Sequence, residues 1–333
     1  MKVYVIHENP DWYAPLGAAF DDAGVPHEQW LAGDGVLDLG AEPPPGVFWS
    51  RMSASAHTRG HPHAKDLTRG MLCWLESRGR RVVNGRRVLE FEMSKMDQLT
   101  ALRAAGFDVP QTVAVAGLAE LAAAARKLPV PFISKHNQGG KGLGVGLFAS
   151  HDEFDEYLAS PGYRAPADGI TLLQEYLRAA DPFITRVELV GGEFIYAITA
   201  DTGRGGFELC PADACAVGQA PGPGLFALRD GFDHPVIGRY TDFARGHGIE
   251  IAGFEFIETV DGRLVTYDVN TTTNYNAGVE AAAPRSALRA VAGFLGGLLA
   301  SQTEHDDPGR HRPGEHGSGE HGSGEHGSGE GVG

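Results

Sequence analysis

The stretch of sequence that decides the fold covers residues 253–270 and reads GFEFIETVDGRLVTYDVN. Two runs rich in β-branched and aromatic residues flank Asp261-Gly262, a dipeptide typical of a two-residue β-hairpin turn. We pair Val260 with Arg263 across this turn, because a two-residue turn fixes the register of the strands that it joins. The pattern predicts an antiparallel hairpin.

This register brings two acidic side chains together. Glu255 lies directly opposite Asp268, and Asn270 shares their face because alternate residues of a strand point the same way. Two carboxylates that face each other across a ladder repel, and an oxygen-seeking divalent cation reverses that effect. Mg²⁺ favours one or two carboxylates together with water and substrate phosphates. The hairpin therefore predicts a magnesium site, with a solvent-facing hairpin of hydrated acids as the alternative.

The surroundings of the hairpin favour the metal site. The run NTTTNYN at residues 270–276 places many small polar groups just beyond the two acids. The apolar residues of both strands fall on the opposite face, where they can anchor the hairpin in the core: Phe254, Phe256, Val265, Tyr267 and Val269.

A glycine-rich segment, NQGGKGLG at residues 137–144, joins two predicted strands at residues 131–136 and 145–150. It is not a Walker loop, since Gly follows Lys141, and it contains no G-x-G-x-x-G. Such a loop can still fold over phosphates and donate backbone N–H groups. Lys135, at the end of the preceding strand, could reach an α- or β-phosphate. The alternative is an ordinary flexible hairpin.

Lys95 stands at the start of a predicted helix. Ser94 is a plausible N-cap, and the helix ends before Gly106. A cation at this position opposes the helix dipole, which a bound phosphate would explain. The alternative is an exposed lysine with a small energetic penalty.

Composition excludes several classes of protein. The 333 residues carry a net charge of −15, which argues against a nucleic-acid partner bound by a broad basic face. No apolar run reaches the roughly 18 residues of a membrane span. Cys73, Cys210 and Cys215 form no C-x-x-C, which argues against a disulfide framework and a zinc ribbon. We expect a soluble, reduced, cytoplasmic protein.

The ordered motifs resemble the ATP-grasp superfamily, particularly its RimK-like and glutathione-synthetase-like carboxylate–amine ligases. The likeness covers roughly residues 93–299 and lies in four stretches in the expected order. They are Ser94-Lys95 with the helix to Gly106, residues 131–135 (PFISK) with 137–145, residues 173–177 (LQEYL), and Glu255 with Asp268-Val269-Asn270.

The resemblance implies an ATP-grasp fold of mixed α/β and α+β class in four parts. Residues 1–92 would form an open α/β domain, in agreement with their alternating strands and helices. Residues 93–172 would form a central lid subdomain with the glycine-rich β-loop-β, and residues 173–302 a C-terminal antiparallel-sheet subdomain. Residues 303–333 contain three EHGSG repeats and would be disordered. This tail is a solvated appendage, an adventitious metal binder or a peptide that the enzyme itself modifies.

The resemblance also implies residue roles. Glu255, Asp268 and Asn270 would hold Mg²⁺, with Mn²⁺ as a second suitable ion, although the family usually has Asp first and Glu second. Arg186 would stabilise the transferring phosphate, with a strand-face salt pair to Glu188 as the alternative. ATP would bind to eleven residues: Lys95, Lys135, Gly139, Gly140, Lys141, Gly142, Gln174, Glu175, Tyr176, Leu177 and Asp181.

The implied activity is an ATP- and Mg²⁺-dependent, ADP-forming carboxylate–amine ligase that acts through an acyl phosphate. Its partners would be small-molecule or peptide carboxylates and amines, such as two amino acids, together with further copies of the chain. Neither a nucleic acid nor a membrane is expected. A small-molecule kinase and a non-catalytic ATP-binding module are the two alternatives.

The polar segment at residues 49–63, WSRMSASAHTRGHPH, follows the third predicted strand. Ligands in open α/β sheets gather beyond the carboxyl ends of strands. Arg51 and Arg59 could hold an acidic substrate, and His57 could act as a base. The alternatives are a surface loop and a metal cluster of His57, His61 and His63.

Overall fold

The computed structural model describes residues 1–140, 142, 144–205 and 225–305. Lys141, Cys210, Cys215 and the repeats of the tail therefore lie outside the described residues. None of the described helices is both long and apolar enough to cross a membrane.

The first unit is built on a four-stranded parallel sheet in the order β2-β1-β3-β4. Its strands are β1 (Lys2–His7), β2 (His27–Leu31), β3 (Gly46–Ser50) and β4 (Arg81–Val83). Its helices are α1 (Pro10–Asp22) and α2 (Ala64–Ser77). Helix α1 starts at Pro10, because the Asn9 side chain accepts a hydrogen bond from the N–H of Asp11 and Pro10 suits the first helical position.

The second unit is an antiparallel sheet in the order β5-β8-β6-β7. Its strands are β5 (Thr112–Ala116), β6 (Phe132–His136), β7 (Gly146–Phe148) and β8 (Ile170–Glu175). The helices of this part are α3 (Arg86–Met93), α4 (Lys95–Ala104), α5 (Leu121–Ala125) and α6 (His151–Ala159). The boundary placed between residues 172 and 173 falls inside β8, and the boundary at residue 92 falls inside α3.

The third unit is an antiparallel sheet in the order β11-β10-β9-β12-β13. Its strands are β9 (Phe183–Val190), β10 (Glu193–Asp201), β11 (Phe226–Leu228), β12 (Ile251–Glu258) and β13 (Leu264–Asn270). The remaining helices are α7 (Thr202–Gly205), α8 (Val236–His247), α9 (Ala277–Ala282) and α10 (Ala287–His305). Strands β9 and β10 are joined by a tight turn at Gly191-Gly192, and both glycines have a positive φ.

Helix α10 joins the first and third sheets into one core. Its Val291 and Leu295 are fully buried in a cluster with Val3 of β1, Trp49 of β3 and Ile198 of β10. Burial of apolar surface on this scale is the main stabilising contribution to folding. The first and last parts of the sequence therefore share one core, although the opposite face of the first sheet packs in a separate cluster with α2.

The loop of the β12–β13 hairpin has three residues, not two. The N–H of Thr259 donates to the carbonyl of Arg263 at 2.9 Å, and the N–H of Gly262 donates to the carbonyl of Thr259 at 2.9 Å. Gly262 has a φ of +83°, which suits glycine. Next to this loop Glu258 pairs with Leu264, so the register near the turn differs by one residue from the prediction.

A β-bulge at Tyr267 compensates for the longer loop. It inserts one extra residue into β13, and beyond it Glu255 pairs with Asp268 as predicted. The bulge turns Tyr267 away from the core and towards the cavity described below. Val265 also belongs to the cavity side, because it pairs with the cavity residue Ile257. The prediction that Tyr267 anchors the hairpin in the core is therefore wrong. Val265 is on the other face from the one predicted, but it is fully buried.

The other three predicted anchors do lie in a core. Phe254, Phe256 and Val269 belong to a buried cluster that also contains Leu102 of α4 and Tyr240 of α8. This layer of helices supports the face of the hairpin opposite to its acidic pair.

Candidate functional site

A cavity of about 460 Å³ lies between the second and third sheets and extends to the first unit. This size is in the range of small-molecule sites. Residues from both antiparallel sheets, from α4 and from the loop after β3 contribute to its walls. The three predicted metal ligands, Glu255, Asp268 and Asn270, all line it.

The two predicted acidic ligands are held in a half-buried position. The hydroxyl of Tyr267 donates to Glu255 Oε2 at 2.9 Å. Burial, and then the negative charge of Asp268, raise the pKa of Glu255 above its usual value. Asn270 adds an amide oxygen. Two carboxylates and one amide oxygen suit Mg²⁺, which takes a small number of protein oxygens and completes its shell with water and phosphate.

Lys95 is brought to the acidic pair by helix α4. Its Nζ donates to Asp268 Oδ1 at 2.5 Å. Burial alone would raise the pKa of Asp268, but the ammonium groups of Lys95 and Lys135 outweigh burial and hold it below its usual value. Gln98 fastens α4 to β13, because it donates to the carbonyl of Val269 at 2.9 Å and accepts from the N–H of the same residue at 3.1 Å.

Lys135 lies at the end of β6 and is 7% exposed. Burial, and then the positive charge of Lys95, lower the pKa of Lys135 to about 7. An ammonium group that is this poorly solvated gains much from a nearby anion. A phosphate chain bound in the cavity would supply that anion.

The glycine segment forms part of the wall above these lysines. Gly139, Gly140 and Gly142 line the cavity, and Gly142 has a φ of +72°. The base of the segment is bound to the first unit, since Gln138 donates to the carbonyl of Ala54 at 3.3 Å and accepts from Lys65 Nζ at 2.8 Å. The segment is therefore placed where its backbone can reach a ligand in the cavity.

An apolar slot continues the cavity between the two antiparallel sheets. Ile133, Leu147, Leu177 and Ile257 line it, beside three of the residues that the resemblance assigns to ATP, Gln174, Glu175 and Tyr176. The N–H of Glu175 donates to the carbonyl of Gln111 at 3.0 Å, so this group is not available to a ligand. The structure does not bring Asp181 to the site: it is exposed and does not line the cavity.

Arg186 lines the cavity. It also forms the salt pair with Glu188 that was considered as the alternative to a role at the transferring phosphate. Its Nε is 2.8 Å from Glu188 Oε1, and its Nη1 is 3.7 Å from Glu255 Oε1. It also donates to Thr273 Oγ1. These contacts fix the guanidinium group beside the acidic pair.

The arginines of the loop after β3 do not line the cavity. Arg51 Nη2 donates to the carbonyl of Thr273 at 2.7 Å and to Asn274 Oδ1 at 2.9 Å. Arg59 Nε donates to the buried Glu8 at 3.1 Å, and Nη1 donates to Ser55 Oγ at 2.9 Å. Both arginines thus hold parts of the protein together, contrary to the predicted role in substrate binding.

The histidines of that loop form no metal site. Among the described residues, no group of three or more His, Cys, Asp or Glu side chains could hold a metal ion. The alternative interpretation of His57, His61 and His63 as a metal cluster is therefore wrong. His57 also does not line the cavity.

Sequence reasoning missed Glu92 at the end of α3. Its Oε2 accepts from the N–H and from the hydroxyl of Thr271, both at 2.8 Å, and it lines the cavity. Burial raises the pKa of Glu92 to about 7. The apolar pattern of α3 does not indicate that Glu92 lines a cavity, because its partner Thr271 lies far away in the sequence.

No protein-family model and no curated protein sequence matches the chain. A RimK-domain ATP-grasp protein from Sphaerobacter thermophilus DSM 20745 matches in structure with a TM-score of 0.62 and 17% identity, over 88% of this chain and 99% of that chain. D-cycloserine synthetase DcsG matches with a TM-score of 0.62 and 16% identity, over 89% and 99% of the two chains. The macrocyclase MdnC, bound with precursor peptide MdnA from Microcystis aeruginosa MRC, matches with a TM-score of 0.60 and 12% identity, over 90% and 100%. The chain therefore has the RimK-like ATP-grasp fold that its motifs resemble.

Proposed function

We propose that this chain is an ATP- and Mg²⁺-dependent ligase that joins a carboxylate to an amine and releases ADP. The observation that supports this most is that Lys95, Lys135, Glu255, Asp268 and Asn270 line one cavity, although they come from four different elements. The neighbours in structure support the same reaction class, because they include a RimK-domain ATP-grasp protein, a synthetase and a macrocyclase.

We infer that the adenine of ATP occupies the apolar slot between the antiparallel sheets. The phosphates would then extend towards Lys95 and Lys135, under the glycine segment. Both lysines can neutralise charge on the phosphate oxygens, which is the main requirement of phosphoryl transfer. Mg²⁺ held by Glu255, Asp268 and Asn270 would add further neutralising charge.

The first half-reaction in this proposal passes the γ-phosphoryl group to the substrate carboxylate. ADP leaves, and an acyl phosphate forms. Arg186 is placed beside Glu255 and can bind the oxygens of the transferred group. Preorganised charge of this kind is usually the largest contribution to lowering the barrier.

In the second half-reaction the amine attacks the acyl carbon, and phosphate leaves with the bonding electrons of the C–O bond. An acyl phosphate is hydrolysed if water reaches it, so the cavity has to exclude water. The contacts of Gln138 with Ala54 and Lys65 hold the glycine segment over this space.

The proposal is tested with ATP, Mg²⁺, hydroxylamine and a panel of amino acids, short peptides and other carboxylates. Hydroxylamine converts an acyl phosphate to a stable hydroxamate, so ADP release together with a hydroxamate is the expected result. A stable phosphorylated product without hydroxamate would indicate a kinase instead. ATP binding without ADP release across the whole panel would contradict both enzyme classes.

A further inference from the structure

The first residue of the glycine segment, Asn137, joins this segment to helix α4. Its backbone carbonyl accepts from the N–H of Lys95 at 3.3 Å, and its side-chain Oδ1 accepts from the N–H of Met96 at 2.8 Å. The next N–H of the helix, that of Asp97, donates to Ser94 Oγ at 3.2 Å. These three N–H groups, which the helix cannot satisfy by itself, are therefore occupied by the protein. Lys95 acts on a ligand through its side chain.

A carboxylate fixes the orientation of the Asn137 amide. Nδ2 of Asn137 donates to Asp168 Oδ2 at 2.7 Å, and the other oxygen of Asp168 accepts from the N–H of Ile170 at 3.1 Å. With the amide turned over, its NH₂ group would face the N–H of Met96 and its oxygen would face the carboxylate. Both of those contacts are repulsive, so Asp168 determines that Oδ1 points to α4.

These contacts are buried but lie outside the wall of the cavity. Asn137 is 3% exposed, Asp168 is half-buried, and neither lines the cavity. Lys95 on one side of Asn137 and Gly139 on the other side do line it. The backbone N–H of Asn137 also donates to the carbonyl of Ile170 at 3.0 Å, which ties the position of this residue to β8. A displaced Asn137 side chain would shift the lysine relative to the glycine segment.

We propose that Asn137 is a positioning residue, which holds Lys95 and the glycine segment at a fixed separation so that both reach the same phosphate chain. Asp168 supports this role by orienting the amide. A phosphate chain that meets two elements already in place loses less free energy to their ordering on binding. The inference rests on the nucleotide binding that the proposed ligase function requires.

The test exchanges the two partners and measures the affinity of the full chain for ADP with Mg²⁺ by calorimetric titration. In Asn137→Asp two carboxylates face each other in place of the hydrogen bond, and their repulsion should weaken ADP binding by at least about tenfold. In the double variant Asn137→Asp/Asp168→Asn, the new carboxylate can accept from Met96 and from the new amide, and the total charge is unchanged. Its affinity should return to within about threefold of that of the unmodified chain.

Ser150→Ala is the matched control for a general loosening of the same unit. Ser150 caps α6, where its Oγ accepts from the N–H of Glu153 at 3.1 Å. Loss of this cap should lower the stability towards urea and leave the affinity for ADP unchanged. Should Asn137→Asp fail to fold, Asp168→Asn alone takes its place with the same expected loss, because it breaks the same contact from the half-buried side.

Three results would overturn the inference. They are unchanged ADP affinity in the folded Asn137→Asp protein, a loss that the double variant does not recover, and an equal loss in Ser150→Ala. If the unmodified chain forms hydroxamates while the variants bind ADP normally, this inference fails and the ligase proposal stands.

If the exchange behaves as expected in a chain that forms no hydroxamate, the ligase proposal fails and Asn137 remains a positioning residue of a nucleotide site. An unmodified chain that does not bind ADP at millimolar concentrations would contradict both proposals.

Discussion

Lys95, Asp268 and Glu255 line the cavity, whereas Arg51 and Arg59, in the loop after β3, do not line it and bind the protein itself. Both groups are charged, and both are largely buried. The difference lies in their partners: the first group faces charges of both signs across a space that can accept a ligand, and the second faces carbonyls, an amide and Glu8. The charges of the first group should therefore determine activity, and those of the second should determine stability.

The largest expected effect is the loss of activity in Asp268→Asn. ATP turnover should fall by at least about a hundredfold, on the order of 3 kcal/mol of barrier, because the variant loses one of the two charged metal ligands of the proposed site. The free energy of unfolding without metal should change little, since the lost pair with Lys95 is offset by relief of repulsion with Glu255.

The rate of ADP release from ATP and urea denaturation measure the two quantities for Asp268→Asn. Asp261→Asn, in the exposed loop of the same hairpin, is the control and should keep full activity. Full activity of Asp268→Asn would rule out the metal assignment.

The reverse pattern is expected for Arg51→Met. Loss of two hydrogen bonds to Thr273 and Asn274 leaves buried acceptors without donors, which should lower the free energy of unfolding by about 2 kcal/mol. Urea denaturation measures this change, and the exposed Arg87→Met should show none. An Arg51→Met protein of normal stability with a strongly raised KM would show that Arg51 contacts substrate after all.

A smaller effect is expected from the pH dependence of nucleotide binding. The pKa of Lys135 is about 7 without nucleotide, and phosphates favour the charged ammonium, so binding raises this pKa. ADP affinity should therefore be highest below pH 7 and should fall, by at most about tenfold per pH unit, as the pH rises above 7. Calorimetric titrations from pH 6 to pH 9 measure the slope.

Two variants isolate the contribution of Lys135 to that slope. In Lys135→Gln this contribution should be lost, and the remaining slope should reflect only the titration of the phosphate itself. Lys127→Gln removes an exposed lysine of the same unit, and its ADP affinity should show the same slope as that of the unmodified protein. Identical slopes in all three proteins would contradict the position of Lys135 beside the phosphates.

The smallest effect is expected for Tyr267→Phe. The change removes one hydrogen bond to Glu255 Oε2, which should weaken Mg²⁺ binding in the presence of nucleotide by a few-fold, or about 1 kcal/mol. Titration of ADP-loaded protein with Mg²⁺ measures it. A loss as large as that of Asp268→Asn would mean that Tyr267 has a more direct role than orienting Glu255.

Local sequence patterns were sufficient for most elements. The alternating strands and helices expected of residues 1–92 are present, and Ser94 caps α4 as predicted, with its hydroxyl accepting from the N–H of Asp97. The pairing of Glu255 with Asp268 was also predictable, although two compensating deviations, the longer loop and the bulge, produced it. The RimK-like ATP-grasp fold expected from the ordered motifs is confirmed.

Contacts between distant residues could not be predicted. The carbonyl and amide that bind Arg51 lie more than two hundred positions away in the sequence, so nothing near Arg51 shows that it is already engaged. Glu92 was missed for the same reason, because Thr271 and the cavity become its neighbours only in the folded chain. The position of Asp181 outside the cavity depends on the path of the backbone before β9. The roles assigned to the site residues stay predictions until these variants are measured.

Helix α10 has a consequence for synthesis of the protein. The first sheet is complete once residue 83 has been made, but the helix that covers part of its apolar face begins only at residue 287. At about 5–20 residues per second, a ribosome needs on the order of ten to forty seconds to cover that interval. During this time Val3 and Trp49 lack their final partners Val291 and Leu295, so the nascent chain has to be shielded from aggregation until its last helix emerges.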